Sequence, residues 1–330
     1  MGRSEDGGYV VRALGCCRYG DAREQRVPYL RPTGPRMLVV ATVAVAAFFA
    51  AFFALGGLPE RQVREDSAVM VGAGDIAECL SPADNATAKL LDGIPGTVFT
   101  AGDNAYDEGT AAQFAYCYGP TWGRHKWRTK PAPGNHEYLT AGASGYFGYF
   151  GAAAGAPYRG YYSYDKSGWH VVALNSNCKE VGGCDADSPQ GRWLRNDLAA
   201  NPAECTLAYF HHPLFSSGDH GDQPQVRPIW DALYAANADV VIGAHDHLYE
   251  RFDPQRPDGT PDKGRGIRQF VVGTGGKAQD GFGEIGPNSR ARKGGTPGVL
   301  KLTLNIGSYV WEFIPVEGET FADSGSASCH

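Results

Sequence analysis

The 330 residues are 42% hydrophobic and 20% charged with a net charge of −6, the balance of an ordinary globular protein. That length holds one large domain with accessories but not two large ones. No basic block lies beyond the N-terminal segment, so no nucleic-acid-binding surface is expected, and an anionic substrate would have to be attracted locally, for instance by metal ions.

Residues 1–36 are rich in Gly, Arg and Pro without apolar periodicity and read as a disordered tail. Residues 37–58 contain no charged side chain. As a helix they reach roughly 33 Å, enough to cross a hydrocarbon core of about 30 Å. Seven arginines against four acids precede this run, so the positive-inside rule keeps the tail in the cytoplasm and exports everything after residue 58. A signal peptide cleaved near Ala54-Leu55-Gly56 is the alternative, and would make the protein secreted. A single-pass membrane anchor is favoured, because the preceding segment is long and the apolar run exceeds an ordinary signal core. Residues 59–66 form a short charged linker.

From residue 67, apolar runs alternate with polar, Gly-rich loops. Residues 69–73, 97–101, 206–211 and 240–244 read as buried strands, and 190–200 and 226–236 as helices with apolar faces. Hairpins are predicted over 161–176, around Ser167-Gly168, and over 299–316, around Ile306-Gly307. The mixture argues for a layered α/β domain with some antiparallel sheet over residues 67–320, followed by a C-terminal tail at 321–330. Cys16 and Cys17 fall on the cytoplasmic side of the proposed topology. Cys79, Cys117, Cys178, Cys184, Cys205 and Cys329 fall outside, an even number in an oxidising compartment. Sequence cannot choose among their pairings; Cys178 with Cys184, across a short loop, is the first candidate.

Nearly every buried-strand candidate ends in a loop that opens with a small residue and then presents Asp, Asn or His. Gly74-Asp75 follows VMVGA, Gly102-Asp103-Asn104-Ala105-Tyr106 follows TVFTA, and Gly134-Asn135-His136-Glu137 follows RTKPAP. His211-His212 ends TLAYF, and Gly243-Ala244-His245-Asp246-His247 ends ADVVI. Ligands at the carboxyl ends of strands converge on one rim of a sheet. Singly, each signal is an ordinary turn: Gly-Asp and Gly-Asn-His are common loop sequences, and His245 and His247 stand at strand period. Five such loops in one chain make independent coincidence a poor explanation.

The ordered series GD, GDxxY, GNH(E), a strand-ending His and GHxH resembles the calcineurin-like metallophosphoesterases, specifically their purple acid phosphatase branch, over roughly residues 68–316. Tyr106 is the branch-specific mark. Two departures are the continuation Ile76-Ala77-Glu78-Cys79 after Asp75 and the absence of a preceding plant-type β-sandwich. The resemblance implies a four-layer α/β/β/α sandwich and two metal ions. Asp75, Asp103, Tyr106 and His247 would hold ferric iron. Asp103, Asn135, His211 and His245 would hold divalent zinc, manganese or iron, with Asp103 bridging. Carboxylate and phenolate oxygens suit a hard trivalent ion, and amide oxygen with imidazoles a borderline divalent one. The implied reaction is hydrolysis of phosphate monoesters of small molecules by a metal-bound hydroxide. Alternatives are a phosphodiesterase acting on nucleotides or phospholipid head groups, or a catalytically silent, surface-anchored metal-binding protein.

His136 is placed to contact a phosphate oxygen. His220, nine residues after His211, stands where plant-type members carry a substrate-contacting His, and an exposed loop His is the bland alternative. His212, following a ligand on a strand, is expected to point to the opposite face and be structural. Glu250 and Arg251 read equally as partners that orient the histidines or as a surface pair. His125 and His170 carry no assignment. Selectivity loops over 141–155 and 279–295 have no readable code.

Overall fold

The computed structural model describes residues 67–278 and 281–330. The proposed tail, anchor and linker lie outside these residues. Among the described residues no helix is long and apolar enough to cross a membrane.

Two mixed sheets make the frame. In the first, β1 (Ser67–Ala73), β2 (Thr97–Ala101) and β3 (Thr129–Ala132) run parallel. The antiparallel strands β11 (Gly298–Asn305), β12 (Ser308–Pro315) and β13 (Asp323–Ser328) complete the order β13-β12-β11-β1-β2-β3. In the second, β5 (Trp169–Ala173), β6 (Cys205–Tyr209), β7 (Val240–Gly243) and β9 (Arg268–Val272) are parallel. Antiparallel β4 (Tyr162–Lys166), β8 (Tyr249–Phe252) and β10 (Ser289–Lys293) give the order β10-β8-β9-β7-β6-β5-β4.

Strand periodicity of two sorts the core. Val171, Leu207, Val240 and Ile242 share one cluster with Met70, Val98, Leu300 and Leu302 of the first sheet. Their neighbours Val172, Ala208 and Val241 join Leu194, Ile229, Trp230 and Leu233 in another. The second sheet is therefore buried on both faces, which is why its strands read as continuous apolar runs. Leu194 belongs to helix α3 (Pro189–Ala200) and the other three to α4 (Arg227–Ala235). α3 starts where the sequence provides a stop for free amides: Ser188 accepts from the Gly191 N–H and Pro189 occupies the first turn. Helix α1 (Ala83–Gly93), absent from the sequence reading, lies against β11 through buried Ala88 and Leu91. Helix α2 (Ser144–Phe150) buries Tyr146 and Phe150 beside Phe114 and Tyr118.

Both predicted hairpins form, as β4–β5 and β11–β12. Two expectations are corrected. β6 stops at Tyr209, so His211 and His212 stand in a bend and not on a strand. Residues 321–330 are not a loose tail: β13 pairs with β12, and Cys329 is bonded to Cys205. DSGSAS has little strand propensity of its own. What holds it is the ladder, the disulfide, and Asp323, whose carboxylate accepts from Arg251, Tyr249 and the Trp311 indole. The remaining disulfides are Cys79–Cys117 and the expected Cys178–Cys184.

Candidate metal centre

The loops after β1, β2, β3, β6 and β7 meet at the carboxyl edges of the parallel strands. Three of the seven proposed ligands turn there with positive φ: Asp75 at 57°, Asp103 at 48° and His245 at 74°. Non-glycine residues adopt this region rarely, and their clustering marks a functional site. The loops also approach one another closely. A Cβ on Gly134 would lie 2.1 Å from Asp103 Oδ1, so only glycine lets the Asn135 loop pass the Asp103 carboxylate.

Asp75, Asp103 and His211 are fully buried or nearly so, and their ligand atoms lie within 4.8 Å of one another. Tyr106 Oη reaches Asp75 Oδ1 at 2.6 Å, Asp103 Oδ2 at 3.0 Å and His247 Nε2 at 3.3 Å. His211 Nε2 faces Asn135 Oδ1 at 2.9 Å, Asp103 Oδ2 at 3.2 Å and His245 Nδ1 at 3.2 Å. Two groups of donors result, one around Tyr106 Oη and one around His211 Nε2, with Asp103 Oδ2 in both. All seven predicted residues come together.

Hydrogen bonding fixes which atoms point inward. His211 Nδ1–H donates to the Ala101 carbonyl and His247 Nδ1–H to that of Ala278, so each ring turns Nε2 into the cluster. The His211 lone pair then faces the carbonyl oxygen of Asn135 and a carboxylate oxygen, a crowd of acceptors that needs a proton or a cation among them. Burial opposes charge on Asp103, yet His211 and His136 hold its carboxyl below the usual range. Burial lowers His211 too, but Asp103 lifts it to about 9. The Tyr106 phenol is pushed well above its ordinary value by burial and by Asp103 and Asp75, so its ionisation awaits a strong positive charge. Three oxygens and one imidazole around Tyr106, against two oxygens and two imidazoles around His211, fit a harder ion beside a borderline one. A second close group, Cys205, Asp239 and Cys329, offers no thiolate, because its sulfurs form a disulfide.

The two proposed substrate-contacting histidines flank this cluster. His136 rests on the Tyr106 ring with centroids 4.4 Å apart, its Nδ1–H donating to the Asp107 carbonyl and its Nε2 3.8 Å from Asp103 Oδ2. His220 is exposed at the mouth, 4.6 Å from the His245 ring and 6.2 Å from that of His247. His212 contradicts the opposite-face expectation. Because β6 has already ended, its ring sits 5.0 Å from His211 and 4.6 Å from His245, buried and bonded to Ser176 Oγ. Burial and His211 lower it to about 3, so it is a neutral wall of the site. Glu250 and Arg251 are not a surface pair: Arg251 clamps Asp323, and the buried Glu250 binds Ser217 and Ser289. His170 bridges Asp165 and Asp197, and His125 meets Asp92, both away from the cluster.

Glu137 closes the Gly134-Asn135-His136-Glu137 loop. Its buried carboxylate accepts from the amides of Asp103, Asn104, Ala105 and Gly134, tying two ligand loops together. Burial and Asp103 push it up to about 7. Lys277 had no sequence signal. Its Nζ lies 4.6 Å from the Tyr106 ring and bonds Glu78 at 2.7 Å and Asp107 at 3.3 Å.

The family model for calcineurin-like phosphoesterases matches residues 71–249, more than half of the chain and every loop of this centre. The chain belongs to the calcineurin-like phosphoesterases. Within this family it is similar to two plant enzymes of Arabidopsis thaliana. Purple acid phosphatase 22 is 34% identical over 98 residues, and purple acid phosphatase 21 is 34% identical over 100 residues. Each match spans 28% of this chain and only 22% of the relative. In fold, the phosphoesterase superposes on a purple acid phosphatase from yellow lupin seeds with a TM-score of 0.61 at 19% identity, over 79% of this chain and 54% of that one. It also superposes on GAP50, the anchor in the inner membrane complex of Plasmodium, with a TM-score of 0.60 at 12% identity, over 81% and 90%.

Proposed function

We propose that this phosphoesterase is an extracytoplasmic phosphatase that hydrolyses phosphate monoesters of small molecules at a dinuclear metal centre. The observation that carries this reading is the position of Asp103 Oδ2, 3.0 Å from Tyr106 Oη and 3.2 Å from His211 Nε2. One carboxylate shared by two donor groups is what a pair of ions roughly 3.5–4 Å apart requires. Asp75, Asp103, Tyr106 and His247 would hold ferric iron, and Asp103, Asn135, His211 and His245 a divalent zinc, manganese or iron. When bound, such ions neutralise phosphoryl charge and supply a water-derived nucleophile near neutral or acidic pH.

The chain's own groups do the rest. His136, with Nδ1 committed to the Asp107 carbonyl, presents Nε2 to a phosphoryl oxygen. His220 stands across the mouth and gives a proton to the leaving oxygen. His212 excludes water from beneath the ligands. The alternative of a catalytically silent, surface-anchored protein has no need of all seven donors and two flanking histidines. Export is supported by the three disulfides that pair every cysteine of the described residues. Residues 37–58 would be the membrane anchor, the catalytic domain lying outside.

A panel of alkyl and aryl monoesters, diesters and nucleotides, run on the full chain with metal quantification, tests the chemistry. Monoesters should turn over fastest with two metals per chain. Faster diester turnover would reassign the substrate class, and two bound metals without turnover would leave a binding protein. Protease added to intact cells should digest the catalytic domain and spare an N-terminal tag.

A further inference from the structure

The loop that carries His220 is short of secondary structure, and its conformation is set by two buried carboxylates. From the turn between the ligands His245 and His247, Asp246 Oδ1 accepts the His220 N–H at 2.8 Å. A Cβ on Gly218 would lie 2.3 Å from that carboxylate, so the loop is pressed against it. At the start of β8, Glu250 Oε2 accepts the Ser217 N–H at 2.8 Å, and Oε1 accepts the hydroxyls of Ser217 and Ser289, both at 2.5 Å. Ser217 in turn receives the Gly286 N–H on Oγ and the Gly283 N–H on its carbonyl. One buried anion thus locks the His220 loop, strand β10 and the 282–286 segment together, three residues before His220. Charge-assisted bonds of this kind are roughly twice as strong as neutral ones, which suits a hinge that must not drift.

Resting on the reading of His220 as proton donor, we propose that Glu250 is a positioning residue for that step. By fixing Ser217 it holds the His220 imidazole at the leaving-group side of the site, while Asp246 links the same loop to the metal-ligand turn. A general acid displaced by about an ångström loses much of its advantage, whereas the ligands, carried by other loops, stay in place.

Glu250→Gln keeps the shape but only one acceptor atom, so either the Ser217 N–H or the two serine hydroxyl protons lose their partner. With metal content unchanged, kcat for an alkyl phosphate should fall about 10-fold or more, the range for groups that orient catalytic residues. For nitrophenyl phosphate, whose leaving group needs little protonation, it should fall less than about threefold. In a His220→Ala background the substitution should add nothing further on the alkyl ester, because both changes disable one step. Ser217→Ala, which removes one hydroxyl and threatens folding less, should give a smaller loss with the same leaving-group selectivity. Equal losses on both esters, or a full additional loss in the His220→Ala background, would overturn the positioning role. Should His220→Ala itself prove unselective between the esters, the proton-donor reading fails, and the positioning role with it.

Discussion

Asp103→Asn is the most demanding test of the centre, since it changes one atom of a side chain shared by two donor groups. Asparagine keeps the size, and its oxygen can still accept the His136 N–H at the 2.8 Å of Oδ1. Its NH2 would then face Tyr106 Oη and His211 Nε2, at the 3.0 and 3.2 Å of Oδ2, and can donate to both. The metal-free fold should therefore survive within about 1–2 kcal/mol. Metal binding should not. Each ion present at about 1,000 times its dissociation constant stabilises the native state by about 4 kcal/mol, so two give about 8 kcal/mol, worth roughly 16–32 °C in Tm for a domain of this size. Weakening both sites about 10³-fold leaves about 0.4 kcal/mol from each, about 0.8 kcal/mol together, a shift near 2 °C. Activity should fall by at least about 10²–10³ together with metal content. Thermal melts with and without added metal, paired with metal analysis, read both quantities. A variant that holds two metals and keeps more than half of the wild-type melting shift would refute the bridge.

Other substitutions separate the remaining parts. Iron-loaded wild-type protein should be pink to purple, and Tyr106→Phe should bleach it while metal is retained. A colourless wild-type protein with stoichiometric ferric iron would remove the tyrosinate. Asp323→Asn should destabilise by about 3 kcal/mol at neutral pH, because the largely buried Arg251 is left without its partner. Burial raises the Asp323 carboxyl, but its bonds from Arg251 and Tyr249 win and hold it below the ordinary 3.8. Its contribution is thus complete above about pH 3.8 and is lost as pH falls through the lower folded value, so the gap between variant and wild type should close in that window. A gap that is constant down to acid would count against the ion pair. Replacing Cys205 and Cys329 by serine opens a 124-residue separation and should cost about 5 kcal/mol. The same change at Cys178 and Cys184, six residues apart, should cost about 2 kcal/mol. Equal melting temperatures for the two variants would contradict that ordering.

What the amino-acid order determined by itself was the set of strand ends and the donors placed after them. Parallel strands buried on both faces appear as unbroken apolar runs, and a loop that opens with glycine and then offers Asp, Asn or His announces itself locally. Asp75, Asp103, Asn135, His211, His245 and His247 stand out on those grounds, whereas Tyr106 and the division into two ligand sets came from the resemblance to the purple acid phosphatases. Tertiary structure decided whatever depends on who lies opposite. β13 has no apolar pattern and exists because Asp323 meets Arg251, Tyr249 and Trp311 and because Cys329 meets Cys205. His212 joined the cluster because β6 ended two residues before His211, a boundary that the apolar run TLAYF does not mark. Glu137, Glu250 and Lys277 act on residues 34, 33 and 171 positions away, through Asp103, Ser217 and Tyr106. A carboxylate that satisfies distant amides carries no local signature, since its partners are backbone groups that every residue possesses.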